Sequence, residues 1–135
     1  MQEVTIYHNP NCGTSRNVLA MLNHAGIKPK VILYLETPPT ETELKQLIAD
    51  MGVRTRDILR TNVPPYKTFH LDDESKTDQD IIQAMLSEPI LINRPIVVTS
   101  KGTRLCRPSE VLLDILPTPL PSPFTKEDGE VVEPK

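Results

Sequence analysis

The spacing of apolar residues changes period twice in the first third of the chain. In EVTIY, residues 3 to 7, Val4 and Ile6 alternate with Glu3, Thr5 and Tyr7, which predicts a strand. Pro10 breaks it, because proline cannot donate to a sheet ladder. From Cys12 to about Ala25 the period becomes helical. Val18, Leu22 and Ala25 share a face, Leu19 and Met21 widen it, and Gly26 stands where helices end. VILYL, residues 31 to 35, has no alternation and predicts a strand buried on both faces. Strand, helix, strand in this order predicts a βαβ unit with a parallel pair.

TPPTETELKQLIADMG carries the clearest helix signal. Thr40 and Glu43 match a capping box, Leu44, Leu47, Ile48 and Met51 line one face, and Gly52 closes the helix. A short helix is predicted around Asp57 to Leu59. Residues 61 to 76 are polar, contain Pro64-Pro65, and read as a loop. Residues 78 to 87 predict another helix with Ile81, Ile82, Met85 and Leu86 facing inward, ended by Pro89.

Residues 95–98 and 103–106 then read as two strands joined by a turn at Ser100-Lys101-Gly102, an antiparallel hairpin. Pro108 suits the first position of a last helix, with Val111, Leu112, Ile115 and Leu116 on its buried face and Pro117 after it. Residues 117–135 hold five of the 14 prolines, two lysines and four acids, with no periodicity. They read as a Pro-rich, acidic tail that lies over the domain or is loose. The order is β-α-β, helices, then β-β-α. This is the α/β class, in the element order of a thioredoxin-like core over residues 1–116, with a mixed sheet and a helical insert at about 36–90.

Composition narrows the function classes. A chain of 135 residues with 38% hydrophobic residues supports one domain. A net charge of −3 and a pI near 5.6 give no bulk attraction to nucleic acid or to an anionic membrane. Any bound anion must be caught by a local basic cluster. No run of 18 apolar residues predicts a membrane span, and MQEVTIYHNP lacks the pattern of a secretory signal. Two cysteines are too few for a disulfide scaffold, and with three histidines they lack zinc spacing. The expectation is a cytoplasmic monomer with no metal.

The chemistry concentrates in IYHNPNCGTSRN. Cys12 stands at the first turn of a helix that leaves a strand, where unpaired N–H groups and the helix dipole stabilise a thiolate. The same groups suit a tetrahedral oxyanion. His8 and Arg16 are placed to add positive charge. Gly13 leaves room, and the Thr14 and Ser15 hydroxyls offer hydrogen bonds. On this pattern alone two readings stay open, a reactive thiol and a small buried residue. Ser15 stands where a C-x-x-C would have its second cysteine, so a dithiol cycle within the loop is excluded and an external thiol must finish any redox reaction. A C-x₅-R phosphatase loop is also excluded, because Val18 stands at the arginine position.

YHNPNCGTSRN, YLETPPT, LIADMG, LRTNVPPY, ILINRPIVVT, GTRLCRPSEVLLDILP and FTKEDGE together resemble the glutaredoxin-linked arsenate reductases of bacteria, from about residue 4 to residue 131. The resemblance implies a thioredoxin-like fold with a helical insert. It implies that Cys12 attacks arsenate to form a covalent thiol–arsenate adduct, and that His8 helps keep the cysteine ionised. Arg60, Arg94 and Arg107 correspond to arginines that bind the oxyanion, and Ser15 to a hydrogen-bonding partner of the thiolate. The resemblance implies no bound cofactor, with glutathione as the reducing co-substrate, glutaredoxin resolving the mixed disulfide, and arsenite leaving as product. The resemblance also implies a cis Arg94–Pro95 bond. Three guanidiniums suit the task, since they donate in forks and stay charged beside an anion that the thiolate repels.

Other candidates have plainer readings. Arg54, Arg56 and Arg104 read as solvated, Cys106 as a buried strand residue in preference to a resolving thiol, His24 as a helix C-terminal residue, and Asp72 to Glu74 as a solvated face. Two rival functions are a regulator of the Spx type, which keeps C-x-x-C and lacks the arginines, and a one-cysteine thiol transferase, which needs no arginine clamp. Ser15 and the three arginines favour the reductase.

Overall fold

A computed structural model describes residues 3–134, which divide into two compact units. The first comprises residues up to Leu33 and from Arg94 onward; the second is Tyr34–Asn93.

The first unit is built on a four-stranded mixed sheet of order β2-β1-β3-β4. Its strands are β1 (Thr5–His8), β2 (Lys30–Leu33), β3 (Ile96–Thr99) and β4 (Gly102–Leu105). β1 and β2 are parallel, joined through helix α1 (Gly13–His24). β3 pairs antiparallel with β1, setting Ile6 opposite Val97, and with β4. This is the thioredoxin-like arrangement that the element order predicts. The core lies between the sheet and α1. Val4 just ahead of β1, Ile6 from β1, Val97 from β3 and Val18, Met21 and Leu22 from α1 pack with Leu112, Ile115 and Leu116.

Three expectations are corrected here. β2 is not buried on both faces, because it is the sheet edge with β1 as its only neighbour in the sheet. Val31, Leu33 and the following Leu35 are 42%, 38% and 40% exposed. The last helix is a 3₁₀ helix, Ser109–Asp114, with Pro108 as its N-cap; it buries Leu112, and Ile115 and Leu116 are buried just beyond it, while Val111 is only half-buried. Pro108 and Pro117 confine the segment to the eight residues between them, and 3₁₀ winding is a form of short pieces of chain. Residues after 117 are also more than a tail. Leu120 and Val132 reach the core, and β5 (Phe124–Thr125) pairs with β6 (Val131–Val132). The Asp128-Gly129 turn, with Gly129 at φ 89°, is a hairpin signal that the prolines around it obscure.

The second unit is helical. α2 (Glu41–Met51) begins at the expected capping box, with Glu43 N–H on Thr40 Oγ1 at 3.1 Å and Thr40 N–H on Glu43 Oε1 at 2.9 Å. It ends at Gly52, φ 68°. A second box, Thr77 with Asp80, opens α4 (Asp78–Ser87). α2 packs on α4, burying Leu44, Leu47, Ile81 and Met85. Within the expected loop lies α3 (Pro64–Thr68), whose prolines occupy the first helical positions, where no N–H is missed.

Candidate active site

β1 runs into the loop 9–12, and α1 leaves it with Cys12 as its N-cap, φ −106° and ψ 121°. The loop closes on itself: the Cys12 N–H donates to the Asn9 carbonyl at 3.0 Å, and the Asn11 N–H to Asn9 Oδ1 at 2.9 Å. Asn9 is buried and shapes this turn, a role that sequence reasoning did not single out. Its Asn-Pro-Asn composition is a turn signal that points to it.

Cys12 is buried, and burial is the largest influence on its thiol, opposing ionisation. Three groups outweigh it: the backbone N–H of Ser15, the charge of Arg94, and Arg107, whose Nη1 lies 3.7 Å from the sulfur. The net effect holds the Cys12 pKa below the usual 9.0. Arg107 Nη1 also reaches the Arg94 carbonyl at 3.4 Å, so the two arginine segments meet beside the sulfur. Arg94 precedes Pro95 across a cis bond, as expected; Arg107–Pro108 is cis as well, which was not foreseen.

His8 and Ser15 act differently from their sequence readings. Burial, with the nearby Arg16 charge, lowers the His8 pKa from its usual 6.5, which disfavours a positive charge on the ring. Its Nδ1 lies 2.7 Å from Ser15 Oγ, which also accepts the Asn9 N–H at 3.0 Å. The Ser15 hydroxyl is therefore engaged by the loop; what serves the thiolate is its main-chain N–H. The cause is burial. Ser15 is fully enclosed, and a hydroxyl there must satisfy the polar groups sealed in with it.

Arg60 is half-buried in the second unit, where its N–H donates to the Leu91 carbonyl at 2.8 Å beside the Leu59–Ile92 bridge. Arg16 is exposed and paired with Glu127. Cys106 is fully buried in the core, and burial pushes its thiol up to about 12, which removes it as a resolving thiol. His24 contacts Ser122 and the Phe124 ring, tying the C-terminal segment to α1. Among the described residues no cluster of His, Cys, Asp and Glu could hold a metal ion, and no helix is long and apolar enough to cross a membrane.

The arrangement supplies a thiol whose ionisation is favoured by two guanidinium groups and by the Ser15 N–H in the first turn of α1. It fits attack on a small tetrahedral oxyanion.

Residues 7–115 match the ArsC family. The chain is 61% identical over 132 residues to an arsenate reductase of Escherichia coli, covering 98% of this chain and 94% of that protein. It is 56% identical over 129 residues to an arsenate reductase of Rhizobium meliloti, covering 96% and 92%. Among solved structures, the arsenate reductase from Vibrio cholerae superimposes with a TM-score of 0.82 at 44% identity, covering 85% of this chain and 98% of that one.

Proposed function

The chain belongs to the ArsC family, and from that premise we propose that it is an arsenate reductase whose nucleophile is Cys12. The observation that carries the reading is the buried Cys12 sulfur, held at depressed pKa with the Arg107 guanidinium 3.7 Å away.

In this reading the Cys12 thiolate attacks arsenic, water leaves, and a thiol–arsenate adduct forms. Arg94 and Arg107 neutralise the oxyanion as it meets the thiolate, and the resemblance assigns Arg60 to oxyanion binding as well. Glutathione then attacks. Two thiols, that of Cys12 and that of glutathione, supply two electrons; arsenic passes from the +5 to the +3 state, arsenite leaves, and the sulfurs remain as a mixed disulfide. Glutaredoxin with further glutathione restores Cys12, since no second thiol is available in the loop and Cys106 is sealed in the core. Such a cycle belongs in the cytoplasm, where glutathione is kept reduced.

The test is glutathione oxidation followed with arsenate and glutaredoxin present or omitted. Turnover requiring arsenate and both thiol systems is expected, with none in Cys12→Ser and much less in Arg60→Ala. Turnover without arsenate on a mixed-disulfide substrate would replace the reading with a thiol transferase. Full activity of Cys12→Ser would remove the nucleophile.

A further inference from the structure

FTKEDGE, residues 124–130, belongs to the resemblance but has no part in the chemistry above. The structure places one of its acids against the first turn of α1. Glu127 takes the Arg16 guanidinium in a two-pronged pair, Nε to Oε1 at 2.7 Å and Nη2 to Oε2 at 3.1 Å. The third nitrogen of Arg16, Nη1, donates to the Pro10 carbonyl at 2.9 Å, inside the loop that leads to Cys12. The Glu127 N–H donates in turn to Asn17 Oδ1 at 3.0 Å. A Cβ built on Gly13, the residue after the nucleophile, would lie 3.7 Å from Arg16 Nη2 and 3.8 Å from Glu127 Oε2. The carboxylate is fixed by a folded element. The Lys126 side chain is 10% exposed and its Nζ binds both oxygens of Glu110 at 2.9 Å, the Lys126 main-chain N–H donates to the Glu130 carbonyl at 2.8 Å, and Val132 is buried in the core.

We propose that Glu127 is a positioning residue for the Cys12 nucleophile: through Arg16 it pins the Pro10 carbonyl of the nucleophile loop, and it cancels a positive charge that would otherwise stand beside the oxyanion site. An isolated exposed ion pair contributes little to stability. This one acts by geometry and by field. Arg16 lies one helical turn beyond Cys12, with its N–H on the Cys12 carbonyl at 2.9 Å. An uncompensated guanidinium there would draw the anion away from Arg94 and Arg107. It would also deepen the stabilisation of the thiolate, and a thiolate of lower pKa is a weaker nucleophile. The charged groups of the first unit that bear on the sulfur are Arg94 before β3, Arg107 before the 3₁₀ helix, Arg16 from α1, and Glu127 through Arg16; His8, the titratable group at the end of β1, meets the Ser15 hydroxyl and has its pKa lowered by burial. The proposal rests on the reading of Cys12 as nucleophile, whatever the electrophile.

The experiment is the pH profile of Cys12 alkylation by iodoacetamide, read by intact mass, for the wild type, Glu127→Gln, Arg16→Gln and the double variant. Cys106 does not compete, being buried with its thiol near 12. Glu127→Gln leaves Arg16 unopposed, so the alkylation midpoint falls by about half a pH unit; Arg16→Gln leaves Glu127 unopposed and raises it by about as much. The double variant returns to the wild-type midpoint. Shifts of the same sign, no shift in either single variant, or a double variant displaced from the wild-type midpoint by as much as either single variant would each overturn the proposal. A fall in thermal stability with unmoved midpoints would reduce the pair to a structural tie and overturn it too. If Glu127→Gln is insoluble, the sign found for Arg16→Gln decides alone. A chain that alkylates as expected yet turns over no arsenate loses the proposed function and keeps this inference; unmoved midpoints with arsenate turnover intact do the reverse.

Discussion

Ser15→Ala separates two roles for one hydroxyl. Ser15 is fully buried, and its Oγ serves the Asn9 N–H at 3.0 Å and His8 Nδ1 at 2.7 Å, with Asn9 and His8 themselves buried. Removing the oxygen strands both partners where water does not reach. A buried polar group left without a partner costs about 1–3 kcal/mol, so two of them, one a ring nitrogen, cost about 2–4 kcal/mol. At about 2.1 cal/mol/K per residue, unfolding a chain of this length carries an entropy of about 0.3 kcal/mol/K, and Tm falls by about 7–14 °C. Thermal unfolding and urea titration measure this, with the urea slope unchanged because the same surface is exposed. Cys12 alkylation is followed alongside. Its midpoint moves little, because the main-chain N–H of Ser15, which favours the thiolate, survives the substitution. Stability within about 0.5 kcal/mol of wild type, together with a midpoint raised by a full unit, would refute this reasoning and assign the hydroxyl to the sulfur.

Other outcomes follow from the same geometry. His8 has a folded pKa below 6.5, so as pH drops beneath that value the unfolded chain binds a proton that the folded chain refuses. Stability therefore rises with pH in that window, and His8→Gln flattens the rise; equal slopes in urea titrations at pH 7.5, 6.5 and 5.5 would place the dependence elsewhere. Arg107→Ala removes the cation 3.7 Å from the sulfur, moves the Cys12 midpoint back towards 9.0 and slows alkylation at pH 7 by about three- to ten-fold; an unchanged rate would discard Arg107 as a stabiliser of the thiolate. The folded chain takes up one alkyl group, on Cys12, and a second only in urea, since Cys106 is fully buried; rapid double labelling of the native protein would contradict that burial.

Several elements were readable from neighbours in the chain. The alternation around Val4 and Ile6 marks β1, and the Thr40–Glu43 box and Gly52 bracket α2 within a residue. These signals survive because the interactions behind them span at most four residues. β2 shows the opposite case. An apolar run looks the same in an interior strand and in an edge strand, and only pairing places Lys30–Leu33 at the sheet margin. The 3₁₀ winding of Ser109–Asp114 and the hairpin Phe124–Val132 escaped for a related reason: a six-residue helix and two-residue strands carry too little periodicity to identify a form.

The candidate site divides along the same line. Cys12 at a strand-to-helix junction, with unpaired N–H groups ahead of it and no second cysteine in reach along the loop, is a local arrangement, written in a dozen consecutive residues. Its surroundings are not local. Arg107 comes to the sulfur across a separation of 95 residues and Glu127 to Arg16 across 111, while the His8 pKa is lowered by burial and by the Arg16 charge that folding brings near it. Desolvation and charge placement act through space, so the state of this thiol became definite only when the sheet, α1 and the C-terminal hairpin packed around it.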